Sequence, residues 1–334
     1  MRLKVGDRVR VRSQAEILAT LDERGCLEGL PFMPQMLGAC GKNFRVSKRA
    51  HKLCDTAHAT GARRMPDAVL LDQMRCDGQV YGGCEMECMI VWKEAWLERL
   101  DDASQAAPSS SAPSPQLQQL VEANVRPADK QTAADIPVYS CQATQMPFAT
   151  ARLSVWDVRQ YREDYLSGNA SLRQIASVLS FLVYDTIATS GIGLGSFMRW
   201  SYETVQRLRG GTLYPGRPGK LAKHSRTPTC TLDVRPGERV TVKSHADVLE
   251  TVTEDLVNRG MGFHPEMVPY CSKTFVVEKR LRRIMNEKTG QIIELKNSCV
   301  TLEGAPCVGR FTRPLLCPRG MAPYWREVWL ERAQ

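Results

Sequence analysis

The chain has 334 residues, 43% of them hydrophobic and 24% charged, which gives room for two or three buried cores and excludes a disordered or fibrous protein. Its 45 Lys and Arg against 36 Asp and Glu leave a net charge of +9, a surplus that serves solubility and also suits an anionic partner: nucleic acid, a phosphorylated ligand or an acidic protein. The opening Met1-Arg2-Leu3-Lys4-Val5-Gly6-Asp7 has no apolar secretory stretch, so the 12 cysteines are expected in a cytoplasmic, reducing setting. There they act as metal ligands or buried thiols rather than disulfides.

In chain order, Val5-Gly6-Asp7-Arg8-Val9-Arg10-Val11 alternates apolar and polar residues after a Gly-Asp turn, the pattern of a half-buried strand. Phe44-Arg45-Val46 predicts a second strand and Val69-Leu70-Leu71 a third, with Trp92 and Trp96 closing the segment. These elements make residues 1–100 a first Cys-rich β module. Residues 101–135 are rich in Ser, Pro, Ala and Gln and predict a flexible linker. Residues 136–228 form a helical section ending in a basic loop, Arg217 to Arg226. Within it Ile175–Met198 is nearly long enough to span a membrane. Asp185 near its middle and Gly191, Gly193 and Gly195 towards its end make it a buried helical hairpin instead, so no membrane span is expected.

Residues 229–334 repeat the first module. Gly6–Arg49 aligns with Gly237–Arg280 at one constant offset, with identities that include Val9/Val240, Val11/Val242, Phe32/Phe263, Met36/Met267, Cys40/Cys271 and Phe44/Phe275. The match resumes as Cys76/Cys299 and Cys84/Cys307, and closes with Trp92-Lys93-Glu94-Ala95-Trp96-Leu97-Glu98-Arg99 against Trp325-Arg326-Glu327-Val328-Trp329-Leu330-Glu331-Arg332. Short strands with Gly-marked loops predict an α+β chain: two duplicated small β-barrel-like modules with a helical section between them. The opening Val-Gly-Asp-Arg-Val resembles the first strand of SH3-like barrels. The whole module resembles uncharacterised bacterial proteins with the same duplicated Cys-rich layout, a resemblance that implies no activity.

The chemistry-bearing pattern lies in the cysteines. His51 and Cys54 are followed by Cys76, then Cys84 and Cys88, with glycines beside them that let a backbone fold around an ion. Zinc takes four S or N donors in a tetrahedron, so four of these five form a first candidate site, Cys54, Cys76, Cys84 and Cys88 foremost. In the second copy His51 aligns with Arg282 and Cys54 with Met285. Cys299, Cys307 and Cys317 remain, and with Cys141, or Cys271 in its place, they form a second candidate site. An all-thiolate set would accept zinc or an iron–sulfur cluster. Lys42, Arg45, Lys48, Arg49 and Lys52, with Lys273, Lys279, Arg280, Arg282 and Arg283, could track a phosphate backbone. No phosphate-binding loop, nucleophile elbow or His-Glu-x-x-His pattern occurs in the sequence. The expectation is a metal-binding accessory or binding protein with a basic face, the alternative being an iron–sulfur or zinc-dependent enzyme or redox component of a bacterial biosynthetic pathway.

Overall fold

The computed structural model describes residues 2–101, 113–131, 136–191, 193–313 and 315–333. It is a mixed α+β structure with a curled half-barrel sheet. The chain divides into two compact units that interleave along the sequence. Unit 1 comprises Met1–Leu172 with Arg283–Glu294 and Leu316–Arg319, and unit 2 comprises Arg173–Arg282, Leu295–Leu315 and Gly320–Gln334.

Unit 1 is built on strands β1 (Arg8–Val11), β2 (Asn43–Arg49), β3 (Lys52–Cys54), β4 (Ala62–Arg64), β5 (Ala68–Arg75), β6 (Met89–Lys93) and β7 (Leu97–Arg99). An antiparallel five-stranded sheet runs β6-β5-β2-β1-β7, and β3 and β4 make a separate sheet with β8 (Ala151–Leu153). Alternation decides which face is covered: Val9 and Val11 are buried while Arg8 and Arg10 lie between them on the other face. Helix α1 (Gln14–Leu18) starts at Ser13, whose hydroxyl accepts from the Glu16 amide while the Glu16 carboxylate accepts from the Ser13 amide. In the core Phe32 meets Trp92 and Trp96 edge-on, at centroid distances of 6.1 and 5.3 Å. The Trp96 indole donates to Thr20 Oγ1 at 3.1 Å, which satisfies its one polar atom.

The expected flexible linker is corrected where it is described. Helix α2 (Pro115–Ala123) occupies part of it, capped by Ser114, and buries Leu117 and Val121 in the unit 1 core. Leu117, Leu120 and Val121 supply an apolar stripe at helical spacing within an otherwise polar segment, enough to dock one face. Residues 102–112 and 132–135 of that segment lie outside the described residues. Helices α3 (Gln142–Ala149) and α4 (Arg159–Leu166) complete the unit.

Unit 2 starts with α5 (Leu172–Thr189) at the unit boundary, then α6 (Gly195–Arg209) and α7 (His245–Leu249). Gly191 and Gly193 adopt positive φ between α5 and α6, so the expected hairpin forms there. Its burial is one-sided: α5 covers Ile175, Val178, Phe181 and Leu182, whereas Phe197, Trp200 and Leu208 of α6 are exposed. Asp185 accepts from Tyr214 Oη at 2.6 Å, which gives its carboxylate a polar partner. No helix among the described residues is long and apolar enough to cross a membrane.

The second five-stranded sheet is formed by β9 (Arg239–Val242), β10 (Thr274–Met285), β11 (Ile292–Leu302), β12 (Trp325–Arg326) and β13 (Leu330–Arg332), in the order β12-β11-β10-β9-β13. Val240 faces Phe275 as Val9 faces Phe44, and Val242 faces Leu330 as Val11 faces Leu97. Phe263 packs on Trp329 at 5.4 Å, and the Trp329 indole donates to Thr251 Oγ1 at 2.9 Å. The register also corrects one expected equivalence. Cys299 pairs with Arg326 and Val300 with Trp325, just as Ala68 pairs with Lys93 and Val69 with Trp92. Cys299 therefore holds the place of Ala68, inside a strand, whereas Cys76 lies just beyond the end of β5.

Candidate functional site

Four cysteines of unit 1 line one small cavity: Cys76, Cys84, Cys88 and Cys141, together with Met33, Tyr81, Met86, Met89, Gln142, Met146, Met285 and Arg319. Its volume is about 30 Å³, room for a single water-sized occupant. Three of the sulfurs come from the loop between β5 and β6. That loop folds tightly because Gly78 takes φ +65, and a Cβ there would stand 1.8 Å from the Cys84 carbonyl oxygen. The Cys76 amide donates to the Cys88 carbonyl at 2.9 Å, which brings the two ends of the loop together. The fourth sulfur arrives on α3, where Cys141 is the N-cap and its backbone amide donates to Thr144 Oγ1 at 2.9 Å.

The sulfurs sit among backbone donors. Cys76 accepts from the Gly78 amide, Cys84 from those of Met86 and Met285, and Cys141 from those of Thr144 and Ala143. Gln35 Nε2 lies 3.1 Å from Cys76 Sγ, while its Oε1 is buried without a partner. Such donors favour thiolates, yet burial wins while the thiols have only one another for company. The Cys76 thiol is pushed up to about 12, and those of Cys84, Cys88 and Cys141 are pushed up as well, burial being the largest cause in each case. Among the described residues no group of three or more His, Cys, Asp or Glu side chains is arranged to hold a metal ion as it stands.

A second pair lies next to this cavity and shares its wall residue Arg319. Cys54, at the end of β3, accepts a hydrogen bond from the Cys317 thiol. Arg319 Nη1 stands 3.8 Å from Cys54 Sγ, 3.4 Å from the Cys54 carbonyl oxygen and 3.1 Å from Thr56 Oγ1. Thr56 in turn donates to Glu287. With the Cys317 donor first and the guanidinium opposing burial, the Cys54 thiol is held down at about 6, and the proton stays on Cys317, which is pushed up.

The two expected sets are thus re-sorted. Cys76, Cys84 and Cys88 stay together and take Cys141 from the other set, while Cys54 leaves for Cys317. His51 joins neither. Buried against α4, its Nε2 lies 3.2 Å from the Gln160 carbonyl and 3.3 Å from Asp164 Oδ1, and burial followed by the Lys52 charge lowers it to about 4. Cys299 and Cys307 belong to unit 2. Cys299 is buried beside Arg326, and the Cys307 amide donates to the Met321 carbonyl. Cys271, also in unit 2, closes the 3₁₀ turn Pro265–Tyr270, and burial pushes its thiol up to about 12.

Several basic residues turn inward. Arg49 is buried among Glu94, Glu163 and Asp67, Lys52 bonds Asp164 Oδ2 at 2.6 Å, and Lys48 donates to the Asn169 carbonyl. Phe44 and Phe275 pack on their cores rather than standing free for base stacking. Arg319, Gln35 and Glu287 were not foreseen from the sequence. One signal for Cys317 was there: it precedes Trp325 by the same interval as Cys84 precedes Trp92. Compared with family models, curated proteins and solved structures, the chain has no match.

Proposed function

We propose that the protein is a metal-stabilised accessory or binding protein whose structural zinc is held by Cys76, Cys84, Cys88 and Cys141. The observation that carries this reading is the convergence of four cysteines on one cavity, with backbone amides aimed at three of the sulfurs. Zinc binds four thiolates at about 2.3 Å and supplies the charge that makes their ionisation favourable. Neutral thiols have no such centre to gather round, so the cysteines lie apart until the proton is exchanged for the ion. Arg319, on the cavity wall, would offset part of the excess negative charge of four thiolates.

The frame of this reading is two copies of one SH3-like module. The identities from Gly6 to Arg49 support it, as do the shared strand order and the matching registers of the two sheets. Three of the four cysteines lie in the first copy and the fourth on α3 beyond it, so the metal belongs to unit 1. The surplus positive charge keeps an anionic macromolecule as the partner class, although the inward-turned Lys48, Arg49 and Lys52 reduce the basic run available to it.

Elemental analysis of the purified chain tests the metal reading. About one zinc per chain is expected, lost in Cys84→Ser and Cys141→Ser and retained in Cys299→Ser and Cys271→Ser. No copurifying metal, together with native-state titration of all 12 thiols after zinc has been added, would sink it.

A further inference from the structure

We propose that Cys54 and Cys317, beside the four-cysteine cavity and sharing its wall residue Arg319, form a redox-active dithiol that reacts with small-molecule disulfides. Cys54 is the attacking sulfur and Cys317 the resolving one. The division of labour comes from the surroundings. Cys54 accepts from the Cys317 thiol and faces the Arg319 guanidinium, so negative charge settles on Cys54. Both cysteines are half-buried as residues. Arg319, 3% exposed, is held in place by Thr56 Oγ1 and the Cys54 carbonyl. Leu316 adopts φ +55, a left-handed conformation that a branched side chain rarely takes, just where the chain turns to present Cys317. A low-lying thiolate beside a second thiol and a fixed cation is the microenvironment of a reactive cysteine, not of a structural one.

The chemistry balances without a further reagent. The Cys54 thiolate attacks one sulfur of the disulfide R–S–S–R, forming a Cys54–S–S–R bond and releasing R–S⁻. Cys317 then attacks the Cys54 sulfur, the second R–S⁻ departs, and the Cys317 proton goes to a released thiolate. The Cys54 thiolate and the Cys317 thiol are oxidised to one disulfide, and R–S–S–R is reduced to one thiol, carrying the Cys317 proton, and one thiolate, which takes a proton from water. With Arg319 Nη1 beside its sulfur and the Cys54 thiol held below its ordinary value, the first step needs no separate base. The groups facing Cys54 are Cys317, Arg319 and Glu287, the last a carboxylate that opposes the ionisation.

The experiment treats the purified full-length chain, with its bound metal, with bis(2-hydroxyethyl) disulfide at pH 7, followed by acid quench, alkylation and peptide mapping. A Cys54–Cys317 linkage is expected before any other cysteine changes. Cys317→Ser should stop at a mixed disulfide on Cys54. In Arg319→Gln the alkylation rate of Cys54 at pH 7 should fall roughly tenfold or more, with partial recovery in Arg319→Lys, as the thiolate population declines. Iodoacetamide labelling of the wild-type chain gives a reading that depends on no variant: Cys54 should label first. A different first linkage, labelling of Cys54 no faster than that of the cysteines lining the cavity, or reactivity of Cys54 that emerges only after chelation would each overturn the proposal. The last would make the pair a metal site. Zinc content is measured separately in Cys54→Ser, where it should remain at the wild-type level.

Discussion

Gly78 sets the geometry of the four-cysteine loop because it alone can hold φ +65 with the Cys84 carbonyl pressed against its α-carbon. Gly78→Ala is therefore expected to open the loop and abolish retention of the proposed zinc, while the tryptophan fluorescence of the folded core survives. Loss of the core signal along with the metal would mean that the loop is needed for folding instead. His51 offers a pH test at the same scale. Its folded pKa, about 4, is depressed below the ordinary 6.5, so the stability it contributes is present above pH 6.5 and is lost as pH falls towards 4. His245 is lowered in the same way, so the whole chain should weaken over that window. Asp164, raised to about 6 by burial with Lys52 opposing, has the opposite sign: its contribution is full below pH 3.8 and declines as pH rises through 6. Urea midpoints measured at pH 7 and pH 5 should show a smaller difference in His51→Gln than in the wild type. An unchanged difference would remove His51 from the account.

At the scale of elements, each five-stranded sheet is closed by a strand that follows a Trp-centred 3₁₀ turn, Glu94–Trp96 in one unit and Glu327–Trp329 in the other. Trp96 and Trp329 are fully buried, each with an edge-on phenylalanine and a threonine hydroxyl for the indole. Replacing either by Ala should cost about 3–5 kcal/mol by denaturant unfolding, cavity and lost packing together. Thr20→Val should cost roughly 1 kcal/mol through the unpaired indole N–H. A cost for Trp96→Ala below that of Thr20→Val would show that the core relaxes around the missing ring. These elements were legible in the sequence because alternation in Val9 and Val11 and the repeated Trp-x-x-x-Trp spacing are local signals. Helix α2 was missed because its Ser/Pro-rich composition outweighed a three-residue apolar stripe whose value depends on a core to dock against.

Across the whole molecule, the two units do not follow the order of the chain. Arg283–Glu294 and Leu316–Arg319 return to unit 1 after most of unit 2 has been made. There Met285 enters the core, the Arg283 carbonyl accepts from the Glu85 amide at 2.9 Å, and the Tyr139 amide donates to the Gly290 carbonyl at 2.7 Å. A fragment ending at residue 172 lacks these bonds along with Cys317 and Arg319. It should unfold at lower urea than the corresponding transition in the full chain, and equal midpoints would show that the returning segments add nothing.

The sequence by itself determined the strands of both five-stranded sheets, their buried valines and tryptophans, and the set of cysteines from which a site could be drawn. Those are local properties: periodicity, identity and composition need no partner to be read. The partition of the sulfurs was decided only by tertiary structure. Cys141 reaches Cys76, Cys84 and Cys88 because α3 docks on the first core, and Cys54 meets Cys317 because a segment some 260 residues later folds back beside it. Spacing along a chain constrains ligands that share a loop, but contacts made by docking carry no signal in spacing. His51, in the bend between β2 and β3, was turned away from both sites by its contacts with the Gln160 carbonyl and the buried carboxylate of Asp164.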